Sequence, residues 1–179
     1  MVETDLDEES GVNNGNANGN MDGPARVAKA ISICGLEASI ERFDDGTSTA
    51  IDAAAALKCE LGQIVKTLVL LAEKRPTAVL VPGDRQVDMA ALARLLGIPR
   101  KRLKMVPLEQ VLNLTGYPVG GVPPVGLPGQ WDVIAEKSLM RFSKVWAAAG
   151  AIDALFCTSP EKLLEATQAQ LASFGKVGE

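Results

Sequence analysis

The chain has 179 residues, 47% of them hydrophobic and only 4% aromatic, with a formal net charge of -4. That length supports one compact core, and with no apolar run near the roughly 20 residues that span a bilayer and no basic-then-apolar secretory start, a cytoplasmic protein without membrane contact is expected. There is no histidine, which removes Ser-His-Asp and Cys-His nucleophile systems, HExxH metalloproteases and every site that needs imidazole; catalysis here must run on lysine, carboxylates, hydroxyls, main-chain amides or the substrate itself.

Residues 1–22 carry six acids, no base and a Gly/Asn-rich tract, which predicts a disordered acidic tail. Without those six acids the remainder has 18 basic against 16 acidic residues, so the folded part, placed at 23–175 as a single domain, is slightly basic. PARVAKAISICG starts with Pro24 and ends at Gly35, the signature of a helix, and LEASIERF alternates as a strand does. GTSTAIDAAAALKCELG offers Thr47, Ser48 or Thr49 as cap of an alanine-rich helix. IVKTLVLLA (64–72) and TAVLVPG read as two strands of a hairpin joined through EKRP. VDMAALARLLG and PLEQVLNLTG are amphipathic helices, the second with Pro107 in its first turn. Thr115 to Gly129 holds five glycines and four prolines and has no regular period. WDVIAEKSL, KVWAAAG and DALFCT supply further strands, and SPEKLLEAT a helix capped by Ser159. Several strands adjoin without an intervening helix, so the expected class is α+β, a mixed β-sheet surrounded by helices. Cys34, Cys59 and Cys157 form no CxxC pair; buried reduced thiols are expected, with neither a disulfide framework nor a zinc site.

Lys66 stands in an otherwise apolar strand, on one face with Leu68 and Leu70 by the period of two. Burying an unpaired ammonium costs several kcal/mol. Lys66 therefore either snorkels to water or is aimed into a cleft, where its charge can hold a phosphate or a developing oxyanion. The Thr115–Gly129 segment is either a rigid crossover or a loop whose glycines bring main-chain N–H groups close to a ligand while its prolines preset their direction. It matches neither GxGxxG nor a P-loop. Arg100, Lys101, Arg102 and Lys104 are either a solvated edge or a contact for a phosphate backbone, without aromatic residues for base stacking.

In order and spacing, QIVKTLVLL, VPGDRQVDMAALARLLG, LTGYPVGGVPPVGLP, KVWAAAG and DALFCTSPEKLL resemble the YbaK family of aminoacyl-tRNA deacylases, related to the editing domain of prolyl-tRNA synthetase, over about Arg26 to Leu164. The resemblance implies an α+β domain that hydrolyses the ester of a mischarged tRNA of the Cys- or Ala-tRNA(Pro) type, with no metal and no cofactor. It matches Lys66 to the family lysine and Gly120-Gly121-Val122-Pro123-Pro124 to its GxxxP loop. It further implies that the Gly120 and Gly121 amides receive the carbonyl oxygen, that Lys66 holds the tRNA 3′ end, and that Thr47, Thr49, Pro124 and Asp153 border the substrate, with Ser48 where similar members have Arg. Arg100, Lys101 and Arg102 become candidates for the acceptor stem, and a synthetase becomes a possible partner. The rival readings are a non-catalytic tRNA- or synthetase-binding adaptor and a small-molecule ester hydrolase.

Overall fold

The computed structural model describes residues 21–43, 47 and 49–178. The expected acidic tail lies outside the described residues except for Met21 and Asp22, and Asp22 belongs to the fold: its carboxylate accepts from the Ala25 N–H at 2.8 Å and caps helix α1 (Gly23–Ile33). The chain continues through β1 (Ile40–Arg42), α2 (Ala50–Leu57), β2 (Ile64–Ala72), β3 (Arg75–Pro82), β4 (Arg85–Val87), α3 (Met89–Leu95), β5 (Leu103–Met105) and α4 (Leu108–Thr115). Then follow β6 (Asp132–Glu136), β7 (Val145–Ala148), β8 (Ala154–Thr158), α5 (Pro160–Thr167), β9 (Gln170–Ala172) and β10 (Gly175–Val177). No helix among the described residues is long and apolar enough to cross a membrane.

Eight strands form one mixed sheet in the order β1-β8-β7-β2-β3-β6-β9, with β5 also on β2. β2 pairs antiparallel with β3 and parallel with β7, while β6 runs parallel to both β3 and β9. This is the α+β, mixed-sheet architecture expected from the interleaving. The hairpin turn is tighter than EKRP suggests. Glu73 and Lys74, both at positive φ (51° and 76°), make a two-residue turn of the kind that matches strand twist, and Arg75 and Pro76 already pair in β3. Alternation along β2 divides the interior. Val65 and Val69 pack with Val27, Tyr117, Val122 and Phe156 on one face, and Leu70 packs with Val79, Val81, Leu92 and Phe174 on the other. α2 covers the second face near Ile64 and Leu155. The cysteines are unpaired, but Cys34 is exposed at the C-cap of α1 rather than buried, because the helix ends there at the surface.

The folded chain runs past 175. Strand β10 pairs with β4, and this C-terminal segment is tied to the sheet by Glu136, which is 5% exposed. Its carboxylate accepts from the N–H groups of Phe174 (2.7 Å), Gly175 (2.6 Å) and Ser138 (3.2 Å). Hydrogen bonds to a buried charge are among the stronger ones. Glu136→Ala is therefore expected to lower stability by about 2–4 kcal/mol, since it leaves buried donors unpaired. Urea unfolding should show the loss, and hydrogen exchange should accelerate first at the Phe174 and Gly175 amides.

Candidate active site

Strand β2 is paired along its whole length on one edge and only at its ends on the other. β3 covers Val65 to Ala72. On the opposite edge β7 reaches only Ile64 and Val65, and β5 only Leu70 to Ala72. The Ile64 carbonyl accepts from Gly83 N–H on the β3 side, whereas the Val69 carbonyl accepts from Val106 N–H on the β5 side. Main-chain polar groups alternate in direction along a strand, so Thr67 turns its N–H and C=O toward the interval where neither β7 nor β5 lies opposite. A cavity of about 290 Å³ occupies this interval.

Because the cavity lies in a gap of the sheet rather than on one face, it collects residues from both. Thr49, Ala50 and Ala53 of the α2 N-terminal end line it, together with Lys66, Leu68, Ala148 and Leu155; Val106, Val111, Val119, Gly120 and Val122 close it from the other side. Thr49 is fixed as the N-cap of α2, its hydroxyl accepting from Asp52 N–H at 3.1 Å and donating to the Asp52 carboxylate at 2.6 Å. Thr47 is buried, with both its N–H and its hydroxyl donating to the Ile152 carbonyl at 2.9 Å. Ser48 lies outside the described residues.

Lys66 shares the face of Leu68 and Leu70, as the period of two predicts, and lines the cavity. It does not snorkel freely. Its ammonium donates to the carbonyls of Gly83 (3.2 Å) and Arg85 (2.6 Å). Burial pushes its pKa below the usual lysine value, and the nearby Asp84 carboxylate works in the opposite direction. The Gly/Pro loop packs on the other face of β2, with Val122 and Val125 in the cluster of Val65 and Val69. Lys66 and the loop thus meet only through the gap.

Pro118 to Gly121 form a turn in which Gly121 N–H donates to Pro118 O at 2.9 Å and Gly120 sits at φ 86°, a conformation that favours glycine. The Gly120 N–H makes no hydrogen bond among the described residues, and Gly120 lines the cavity. Gly121 faces away from it: its carbonyl accepts from Gly150 N–H at 3.0 Å, and a Cβ there would lie 2.8 Å from the Ala151 backbone. Of the two glycine amides, one is free for a ligand and the other closes the turn. Pro124 is buried behind the loop and does not line the cavity. Asp153 also lies outside the lining; its carboxylate accepts from Arg42 at 2.9 Å, and its carbonyl accepts from Phe43 N–H. Arg100, Lys101 and Arg102 form a 3-10 turn before β5, away from the cavity. Lys101 and Arg102 line a separate shallow basic hollow with Lys74, Lys104 and Glu73, and Arg102 is paired with Glu73 at 2.6 Å.

The residue that sequence reasoning passed over is Thr67. The residue lines the cavity, and its hydroxyl is buried with no hydrogen-bond partner among the described residues. The only signal was its place beside Lys66. Met105, Leu108 and Val119, which rim the opening, are about half exposed or more (49%, 69% and 48%).

A sequence model described as "Aminoacyl-tRNA editing domain" matches residues 44–166. The chain belongs to that family. Among its relatives is a protein of Enterococcus faecalis described as "Putative Cys-tRNA(Pro)/Cys-tRNA(Cys) deacylase EbsC", 31% identical over 120 residues that cover 66% of this chain and 72% of that protein. A proline--tRNA ligase of a Geobacter species is 35% identical over 108 residues, 60% of this chain but only 18% of the ligase. The chain therefore corresponds to under a fifth of that enzyme. A solved structure titled "Crystal structure of a putative trans-editing enzyme for prolyl tRNA synthetase" superposes with a TM-score of 0.81 at 36% identity, covering 87% of this chain and 98% of the other. These matches agree with the YbaK-type resemblance read from the motifs, and the editing family's matched span includes the β2 gap, Lys66 and the whole Gly/Pro loop.

The close approach at Gly121 makes the loop sensitive to one methyl group. Gly121→Ala is expected to destabilise the protein by about 1–3 kcal/mol through overpacking against Ala151, seen as a lower urea midpoint with unchanged slope.

Proposed function

We propose that the protein is a trans-editing hydrolase that cleaves the aminoacyl ester of mischarged tRNA, with cysteine or alanine on proline tRNA as the substrate type. The observation that carries this reading is the cavity in the β2 gap. At about 290 Å³ it falls at the small end of ligand pockets, and its walls are mostly Ala, Val, Leu and Ile side chains. A small apolar or thiol side chain suits such a space, and the few polar groups present are ones that could meet an ester.

In this reading the aminoacyl group enters the cavity with its carbonyl oxygen toward the Gly120 N–H. Water adds to the carbonyl carbon, the oxyanion is held by that amide, and the bond to the ribose oxygen breaks as the leaving oxygen takes a proton. The ester is already activated, and a neighbouring ribose hydroxyl or the substrate's own side chain can help deprotonate the water, which fits a chain without histidine. The Lys66 ammonium supplies positive charge for the 3′ end of the tRNA, and Thr47 and Thr49 border the bound group. The Thr67 hydroxyl orients the water or the amino group. The basic hollow around Lys74, Lys101, Arg102 and Lys104 takes the acceptor stem. Kinship with an editing segment of proline--tRNA ligases supports a synthetase as the partner that helps select the tRNA.

A deacylation panel of mischarged tRNAs tests this reading. Lys66→Ala should reduce release of the amino acid by roughly 100-fold or more, as the loss of a charged group facing a transition state does, with an unchanged circular dichroism spectrum. Full activity of that variant would sink the lysine's role, and tRNA binding without turnover across the whole panel would sink the hydrolase. Thr67→Val separates chemistry from folding in the same assay. Deacylation is expected to fall by about tenfold while stability holds or rises, because the hydroxyl that is removed has no partner among the described residues.

A further inference from the structure

Lys66 is held by a turn, and the turn is held by an ion pair. The carbonyls that accept from the ammonium, Gly83 and Arg85, flank Asp84 in the connection from β3 to β4. Asp84 is joined to Arg141, in the 3-10 helix Lys137–Arg141, through its Oδ2, and the Arg141 guanidinium lies over the Phe142 ring at 4.5 Å from the centroid. The other carboxylate oxygen of Asp84, Oδ1, is buried and without a partner among the described residues. The assembly packs against the chain just before β2. A Cβ on the buried Gly62 would lie 2.2 Å from Arg141 Nη2, 2.7 Å from Phe142 and 3.0 Å from Asp84 Oδ1.

We propose that Asp84 and Arg141 are positioning residues for Lys66: their ion pair fixes the turn whose two carbonyls anchor the ammonium, leaving its third proton for the tRNA substrate. An ammonium has three donors on a flexible four-carbon stem, and without anchors it would sample many rotamers. Two neutral carbonyls direct it without cancelling its charge. This inference rests on the role given to Lys66 above.

The same arrangement sets when the ammonium carries its charge. Asp84, Arg85, Lys137 and Arg141 are the charged groups of the turn and of the 3-10 helix beside it. α2 brings alanines to the cavity, and Asp88, which caps α3, is engaged by the Ala90 and Ala91 N–H groups at 2.9 Å. Lysine is charged below its pKa. Burial lowers that pKa and Asp84 raises it, so loss of the Asp84 charge moves neutralisation to lower pH. Loss of the competing Arg141 charge moves it to higher pH.

The test is a lysine-ε ¹³C NMR titration of the full chain, with Lys66 assigned by Lys66→Arg, alongside the pH profile of deacylation corrected for uncatalysed ester hydrolysis. Asp84→Asn is expected to lower the Lys66 titration point by about half to one pH unit and, because the turn is no longer fixed, to reduce deacylation roughly three- to tenfold near neutrality and further on the alkaline limb. Arg141→Met should shift the titration point upward, and Asp84→Glu, which keeps the charge, should titrate like the parent. Lysine-ε ¹³C relaxation at neutral pH reads the anchoring, and the Lys66 side chain is expected to become more mobile in both Asp84→Asn and Arg141→Met. Mobility equal to the parent's in both variants would overturn the proposal. Because that readout does not depend on turnover, activity surviving Lys66→Ala would defeat the catalytic reading while the relaxation still decided the positioning one.

Discussion

The structure depends on incomplete pairing of one strand. β2 is the spine of the sheet, matched residue for residue to β3, yet its other edge is shared by two strands that approach from opposite ends and do not meet. An unpaired stretch of main chain inside a fold is costly unless something satisfies it. Here the chain opens a cavity at that place, and the unpaired groups of Thr67 become part of its lining. The gap also explains how a lysine and a loop on opposite faces of a sheet line one cavity.

Around the gap, rigidity comes from short local devices. Thr49 caps α2 so that the helix presents its N-terminal end to the cavity. Gly121 closes the loop turn, which leaves Gly120 as the exposed amide. Tyr117, with a fully buried ring, donates its hydroxyl to the Gly126 carbonyl at 2.8 Å, and Arg26 stacks on it at 4.2 Å, pinning both ends of the Gly/Pro segment. Each contact is modest, about 1 kcal/mol net for an ordinary hydrogen bond, but together they fix the walls of the cavity.

Much of this was legible from the chain. The bounds of β2 follow from the run Ile64 to Ala72, the starts of two helices from the cap at Ser159 and the candidates Thr47, Ser48 and Thr49, and the face of Lys66 from alternation. β4, β5, β9 and β10 were not legible, because each is three residues long and lies in no alternating run; Leu103–Met105 reads as part of a basic run, and only its pairing with Leu70–Ala72 makes it a strand. Missing β5 hid the far wall of the cavity and the reason Thr67 is unpaired. The two glycine amides looked equivalent in GG, and only the turn hydrogen bond to Pro118 separates them. Asp153 looked like a site acid because of its place in the chain, whereas Arg42 holds its carboxylate outside the lining.

Two of the polar groups that face the gap, the amides of Thr67 and Gly120, belong to the main chain. Apart from an exchange to proline, substitution of a side chain cannot delete them, though it can reshape the walls around them. The cavity therefore separates two kinds of change: an exchange at Ala50, Ala53, Val122 or Leu155 alters the volume and shape of its walls and leaves those main-chain groups in place. The space can be recut by single aliphatic exchanges without the loss of a donor.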